Sequence, residues 1–587
     1  MANCGGLCLM IQPRMELNCI NFCSANASQS FVQGACVSGA YLHRRKWDGT
    51  SSLSGSNQMM ISKRLDHHRG DETANFVLSA DTSRRNSRAE VLRRVIADRG
   101  TTTDEVLADR DEALIQDDVG KARDRVEYNW EEEWYPMYLT AEMPSDSPLG
   151  LTVFDRSLVL FYDGDGKIQC FEDRCPHRSA KLSEGQITDG NLECLYHGWQ
   201  FNGADGWLKS VHGSWFLLQF VPGAKIPKAA CMRPYEVRES QGVIWVWLSQ
   251  KTPGDPKKLP WFEYFAREGW GEVSFMEELP YDYSILLENL MDPAHLPIDG
   301  SSSAMRKNAQ ALVFEVTERT SRGFAGKWGN ISSPTLPSTL RFDAPCSLRD
   351  DKEIVGKDGK IDYTSVVFLC RPAGQGKSML LARFGGKQVR NRAKWIPTWI
   401  IHQGTTTFLE QDMAFLASQN ETLVRENVAT KDLYLNLKSS DTWVSEYRKW
   451  LDLTGHGMPS YFGHRSLSPS ANMAVAEAAP AGLIAATASS YPAKGSFGAM
   501  FARDPTNRYF RHVVHCKSCL QAFHRFKKFQ KIGVVLGAIC TGVAITCSAG
   551  AWRATFVILA LLMITGAYAC TRGLAALTQN FVRAHRR

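Results

Sequence analysis

The chain is 587 residues long, with 44% hydrophobic and 22% charged residues, a globular composition that excludes wholesale disorder and predicts several domains. Its 16 cysteines are too few for a disulfide-stapled scaffold. The net charge of +7, from 68 basic and 61 acidic residues, is too mild to argue for nucleic acid, and no nucleic-acid partner is expected.

Residues 1–64 carry Arg14, Arg44, Arg45, Lys46, Lys63 and Arg64 against only Glu16 and Asp48, in a Ser-, Asn-, Gly- and Ala-rich background. A basic, acid-poor stretch without a continuous apolar core has the composition of an organelle transit peptide, so 1–80 is read as a leader. Ser87-Arg88-Ala89-Glu90 is a capping-box pattern, with Val91, Leu92, Val95 and Ile96 on one helical face behind it. Residues 87–128 are therefore expected to be helical.

Residues 151–162 and 167–172, joined by Asp163-Gly164-Asp165-Gly166, read as a β-hairpin. It delivers the chain to Cys175-Pro176-His177, and Cys194-Leu195-Tyr196-His197-Gly198-Trp199 follows after a short interval. Each loop supplies one thiol and one imidazole. Two such loops can place both thiolates on one iron and both imidazoles on another, the ligand set of a Rieske [2Fe–2S] cluster. Zinc is the competing occupant. Gly198 would let the backbone approach the cluster, and Tyr196 and Trp199 would shield it. The domain is expected over 130–250.

Further on, Asn289, Asp292 and His295 stand at i, i+3 and i+6, spaced to line a helical face and the turn after it. The two loops over 175–197 together with 288–295 resemble the Rieske non-haem iron oxygenases. The likeness is to the plant branch around pheophorbide a oxygenase and the Rieske subunits of the inner-envelope translocon. The segments Ala180–Gln186, Val316–Arg319, Gly323–Gly326 and Lys431–Trp443 carry the same resemblance.

That resemblance implies an α+β chain: a small all-β Rieske domain, then a helix-grip domain (an antiparallel sheet with helices) over 260–464 for a mononuclear Fe(II). It implies His295 as the first iron histidine and Asp292 as the carboxylate linking it to the Rieske histidine of an adjacent subunit, in a homotrimer. Asp412 is implied as the distal iron carboxylate, with Glu410 the weaker candidate. It also implies a ferredoxin-type electron donor, O₂, a tetrapyrrole substrate such as a phyllobilin, and import components of the chloroplast inner envelope. The alternative role is a redox-regulatory translocon subunit without oxygenase activity. The family's second iron histidine falls five residues after the first. Here that position is Gly300, preceded by Asp299, and the next histidine is His402. Three readings stand. The chain as written is short by the residues that hold it, the site is degenerate, or Asp299, His402 or water completes a weaker iron site.

Gly374-Gln375-Gly376-Lys377 has the wrong spacing for a phosphate loop and reads as a turn; His456 and His464 read as surface residues. Residues 465–511 are Ser/Ala/Pro-rich and read as a linker, with a basic segment at 512–531. In that segment Cys516-Lys517-Ser518-Cys519 lies among His512, His515 and His524. Nearby positive charge lowers a thiol pKa, so the pair is expected to cycle as a disulfide with a thioredoxin partner. Zinc held with His512 and His515, or two inert thiols, are the alternatives.

The stretches 532–552 and 554–571 carry no charge, and Arg553 separates them. Each is long enough to span a bilayer, so a transmembrane two-helix hairpin is expected. Basic residues flank both ends, Arg525, Lys527, Lys528 and Lys531 before and Arg572, Arg583, Arg586 and Arg587 after. The positive-inside bias then puts the body on the inner, stromal face of the chloroplast inner envelope membrane.

Overall fold

The computed structural model describes residues 128–211, 227–295, 309–355, 361–386, 395–455 and 506–580, apart from breaks of one to three residues, and residue 458. The expected leader, nearly all of the expected helical segment 87–128, the linker up to 505, Asp299, Gly300, His456 and His464 lie outside them.

The first part is all β. Its strands are β1 (Trp134–Leu139), β2 (Leu149–Val153), β3 (Arg156–Tyr162), β4 (Ile168–Glu172), β5 (Gln186–Thr188), β6 (Asn191–Cys194), β7 (Trp199–Asn202), β8 (Leu208–Val211), β9 (Val237–Ser240) and β10 (Val243–Trp247). They form three antiparallel sheets, β1-β10-β9, β2-β3-β4 and β5-β6-β7-β8. β1 and β10 read Trp-Tyr-Pro-Met-Tyr-Leu and Val-Ile-Trp-Val-Trp and are buried at every position. An unbroken apolar run of this kind marks a strand covered on both faces. The run 151–162 is two strands rather than one. Phe154 and Asp155 turn the chain with φ of 49° and 59°, and their amides are held by the carbonyls of Pro372 and Ala373 at 2.8 and 3.1 Å.

The second part is a seven-stranded antiparallel sheet. Its strands are β11 (Gly271–Leu279), β12 (Leu312–Thr320), β13 (Gly323–Asn330), β14 (Ser338–Asp343), β15 (Ser347–Val355), β16 (Ile361–Gly374) and β17 (Lys377–Gly386), in the order β11-β17-β16-β15-β14-β13-β12. Gly374–Lys377 is the turn between β16 and β17, with Gly376 at φ +62°. Three helices pack on the sheet: α1 (Tyr283–Met291) on β16 and β17, α2 (Thr398–Glu426) on β11, and α3 (Thr442–Thr454) on β13. Asp282 starts α1 by accepting the Ser284 amide at 2.9 Å, and Pro293 follows its end. Trp443 of α3 seats over Gly326, where any Cβ would lie 2.3 Å from the indole.

One apolar core runs through both parts, from Trp130, Tyr135 and Trp245 to Phe342, Leu381 and Trp450. Across it Trp130 Nε1 donates to the Thr454 carbonyl at 2.8 Å, and Arg322 grips Glu133 with two bonds at 2.6 and 2.8 Å. The sheets that carry the Cys/His loops have a separate core of Val159, Phe161, Phe171, Leu182, Leu192 and Phe201. The chain is α+β, as expected.

The described chain resumes at 506. A short helix, Arg508–Arg511, precedes α4 (Lys517–Thr546) and α5 (Ala551–Leu577). The apolar stretches expected at 532–552 and 554–571 belong to these longer helices, whose break falls at 547–550, so Trp552 and Arg553 lie in the first turn of α5. Gly533 meets Ala567, Gly537 meets Ile564 and Gly573 meets Phe526, so the two run antiparallel in close contact. Both are long and apolar enough to cross a membrane. Residues 506–511 are docked rather than loose. Arg508 binds Glu410 through two bonds at 2.8 and 2.5 Å, and Arg511 binds Glu410 at 2.5 Å and also Glu277. All four side chains are buried.

Candidate metal centres

The first Cys/His loop leaves β4, and the second is the turn between β6 and β7. Asp173 fastens the first loop by accepting the Ser183 amide at 2.7 Å and its hydroxyl at 2.6 Å. In the same loop Ser179 N donates to the Cys175 carbonyl at 2.9 Å, and in the second Gly198 N donates to the Cys194 carbonyl at 2.8 Å. Gly198 has φ +68°, a conformation that favours glycine.

The two loops meet in like pairs. Cys175 and Cys194, each 2% exposed, share a hydrogen bond that lowers the Cys194 pKa and raises that of Cys175. The imidazoles of His177 and His197 lie with centroids 4.4 Å apart. Trp199 stacks on His177 at 4.8 Å, while Tyr196 is 60% exposed. Burial, then the adjacent His197 and Arg178, hold the His177 pKa below the usual value. Its Nδ1 is buried with no hydrogen-bond partner. A thiol pair beside an imidazole pair with an orphaned ring nitrogen fits a cluster that takes sulfur on one iron and nitrogen on the other.

The second candidate centre forms where α1 ends. Asp292 accepts the Ala294 amide with one oxygen at 2.8 Å and faces His295 Nδ1 with the other at 3.1 Å. This fixes the ring and turns Nε2 toward Asp412 on α2, 3.5 Å away. Asn289 Nδ2 also donates to Asp412 at 3.5 Å. An imidazole nitrogen and a carboxylate oxygen side by side, with a carboxylate behind the histidine, could supply two ligands of a mononuclear iron site and the partner that orients one of them. These residues fit such a metal as far as they go.

Two alternatives fail. Glu410, the weaker carboxylate candidate, is occupied by Arg508 and Arg511. His402 stands ten residues before Asp412 on the same helix, about 15 Å along its axis at 1.5 Å per residue, and cannot complete that site. It belongs to a third group. His402, His512, Cys516 and Cys519 are all buried, with their ligand atoms within 4.8 Å of one another. His515, expected as a zinc partner of the thiols, is elsewhere: its Nδ1 is 3.2 Å from Tyr138 Oη and its Nε2 3.5 Å from Glu278. Spacing missed His402 because it lies more than a hundred residues before the thiols, and only the docking of 506–519 onto α2 brings them together.

The family model for the Rieske [2Fe-2S] domain matches residues 133–214, and that for pheophorbide a oxygenase matches 342–429. The chain is 53% identical to Protein TIC 55, chloroplastic, of Arabidopsis thaliana over 83% of its length and 90% of the relative's. To the Pisum sativum protein of the same name it is 54% identical, over 79% of this chain and 83% of that one. Pheophorbide a oxygenase, chloroplastic, of Arabidopsis thaliana is 27% identical over 74% of this chain and 81% of its own. Among solved structures, dicamba monooxygenase bound to dicamba aligns with a TM-score of 0.45 at 20% identity, over 56% of this chain and 98% of that one.

Proposed function

Because the chain belongs to the plant Rieske non-haem iron oxygenase family that includes the TIC 55 proteins and pheophorbide a oxygenase, we propose that it is a membrane-anchored chloroplast monooxygenase. In this reading it draws electrons from a ferredoxin-type donor and hydroxylates a tetrapyrrole, a chlorophyll catabolite of the phyllobilin kind. The observation that carries it is the aligned set Asp292, His295 and Asp412, with Nε2 of His295 3.5 Å from Asp412. A chain that only transferred electrons would have no use for that pair.

The residues divide the work. Cys175, Cys194, His177 and His197 hold the [2Fe–2S] cluster, and the aromatic face of Trp199 covers His177. Asp292 accepts a hydrogen bond from His295 Nδ1–H, which would leave Nε2 to bind a metal beside Asp412. Bound Fe(II) would supply O₂ activation at that pair. Helices α4 and α5 anchor the body in the inner envelope membrane, and the basic residues flanking them favour the stromal face. An apolar substrate arriving from the bilayer suits such an anchor.

A second reading is favoured by one observation: Gly300 stands where the family's second histidine is expected. With two protein ligands the iron would be held weakly, and the chain would serve the import translocon as a redox subunit. The test compares the chain as written with a form carrying Ser-His inserted between Ile298 and Asp299, which restores a histidine five residues after His295. The inserted form is expected to bind mononuclear iron and hydroxylate a phyllobilin with ferredoxin. The chain as written should keep its Rieske signal and turn over little. Equal turnover by both forms assigns the completion of the site to Asp299 or water; no turnover by either leaves the translocon reading standing.

A further inference from the structure

We propose that His402, His512, Cys516 and Cys519 bind a structural zinc ion that clasps the start of the membrane-directed helix to the catalytic-type domain. The four come from three places in the chain: the second turn of α2, the residue after the short helix Arg508–Arg511, and the beginning of α4. Their exposures are 1%, 0%, 3% and 0%, so no coordination position is left for water or substrate. A closed set of four nitrogen and sulfur ligands is the mark of a structural rather than a catalytic zinc site.

The distances agree with one ion at the centre. Zn–S bonds of about 2.3 Å and Zn–N bonds of about 2.0–2.1 Å in a tetrahedron put neighbouring S and N ligands about 3.5 Å apart. His402 Nδ1 lies 3.4 Å from Cys516 Sγ and 3.6 Å from Cys519 Sγ, and His512 Nε2 lies 3.3 Å from Cys519 Sγ. The groups behind the ligands agree as well. His512 Nδ1 is 2.8 Å from the carbonyl of Met276 on β11. A carbonyl can only accept, so Nδ1 carries a proton, which leaves Nε2 as the nitrogen available to a metal, as in zinc-bound histidines. Cys519 N points at Cys516 Sγ at 3.5 Å, an N–H···S contact that supports a thiolate. Two neutral imidazoles and two thiolates carry two negative charges, which a divalent cation neutralises in a site closed to water.

The set is separate from both iron candidates, so the proposal stands whichever reading of the oxygenase site holds. It also gives the thiol pair a role other than disulfide cycling. A Cys516–Cys519 bond would use both sulfurs and leave the two imidazoles without a metal, so the two states exclude each other.

The test uses the full chain purified in detergent under reducing conditions without chelator, with metals counted by mass spectrometry. One equivalent of zinc per chain is expected in addition to iron. It should fall to trace in Cys519→Ser and in His402→Ala while the Rieske EPR signal persists, and stay at one equivalent in His515→Ala. The wild-type protein, stripped by chelator and titrated with Co²⁺, should show the visible bands of tetrahedral cobalt with thiolate charge transfer, a readout independent of any variant's folding. Absence of zinc together with an octahedral cobalt spectrum, or zinc undiminished in both Cys519→Ser and His402→Ala, would overturn the proposal. So would a Cys516–Cys519 disulfide found in protein kept reduced throughout.

Discussion

At the residue scale the two candidate iron centres differ in how each side chain is held. The Cys/His loops are short and each is braced within itself, by the Cys175 and Cys194 carbonyls and by Asp173. His177 and His197 therefore present their rings with little freedom. In the proposed assignment, replacing either by Ala removes one nitrogen ligand from the cluster. Reduced protein should then lose the Rieske EPR signal with its nitrogen couplings, whereas His515→Ala should keep it. Persistence of the signal in His177→Ala would contradict the assignment. The pairing of these four side chains was legible from sequence because all of them lie within one stretch, 175–197. The contact between Asp292 and His295 was legible for the same reason. Asp412 was not: more than a hundred residues separate it from His295, and only resemblance pointed to it. The cluster around Cys516 shows the same limit in reverse, since local spacing offered His515 and the fold supplied His402.

At the element scale, the segment 506–519 is where sequence and structure part most. Its composition read as linker and basic tail. In the fold, Arg508 and Arg511 are 3% and 2% exposed and share Glu410 between them, with Glu277 on β11 completing the quartet. Burial raises the pKa of Glu277 while Arg511 opposes the shift. No periodicity announces such a network, because each charge becomes tolerable only through a partner at least 98 residues away in the chain. Removing one member of a buried charged set leaves the others uncompensated, at a cost of about 3–5 kcal/mol. Glu410→Ala should therefore loosen 506–516 from α2, read as new proteolytic cleavage there and a lower unfolding midpoint. The double variant Glu410→Ala with Arg508→Met should lose less than the two single effects added together, because the pair interacts directly. Strict additivity would mean the network does not hold the segment.

At the scale of the whole molecule, the all-β part and the seven-stranded sheet share one core, while the cluster-bearing sheets keep their own. The broad architecture came from the family resemblance, whereas strand-like runs and turns by themselves marked only the hairpin over 151–172. The join between the parts was legible from neither, since Arg322 to Glu133 and Trp130 to Thr454 are long-range pairings of residues unremarkable in sequence. Orientation is a property of the molecule in its membrane, and here the flanking arginines and lysines argue for a body on the stromal side. Protease added to the outside of intact inner-envelope vesicles that keep the stromal face inside should leave residues 128–515 uncut. Cleavage of that region from the outside would reverse the assignment.

The continuity of α4 has a mechanical consequence. The helix begins among the buried thiols at Lys517 and runs to Thr546 without a break. From Cys519 to Ile532, where the uncharged stretch begins, is thirteen residues, about 20 Å of stiff rod at 1.5 Å per residue. If α4 and α5 anchor the chain as proposed, a body clamped to one end of that rod cannot swing on a hinge or dip toward the lipid, so its height and tilt would be inherited from the bilayer through the rod. A substrate dissolved in the lipid would have to climb to the His295–Asp412 pair, and lengthening or shortening the rod by one turn should change that access without touching either centre.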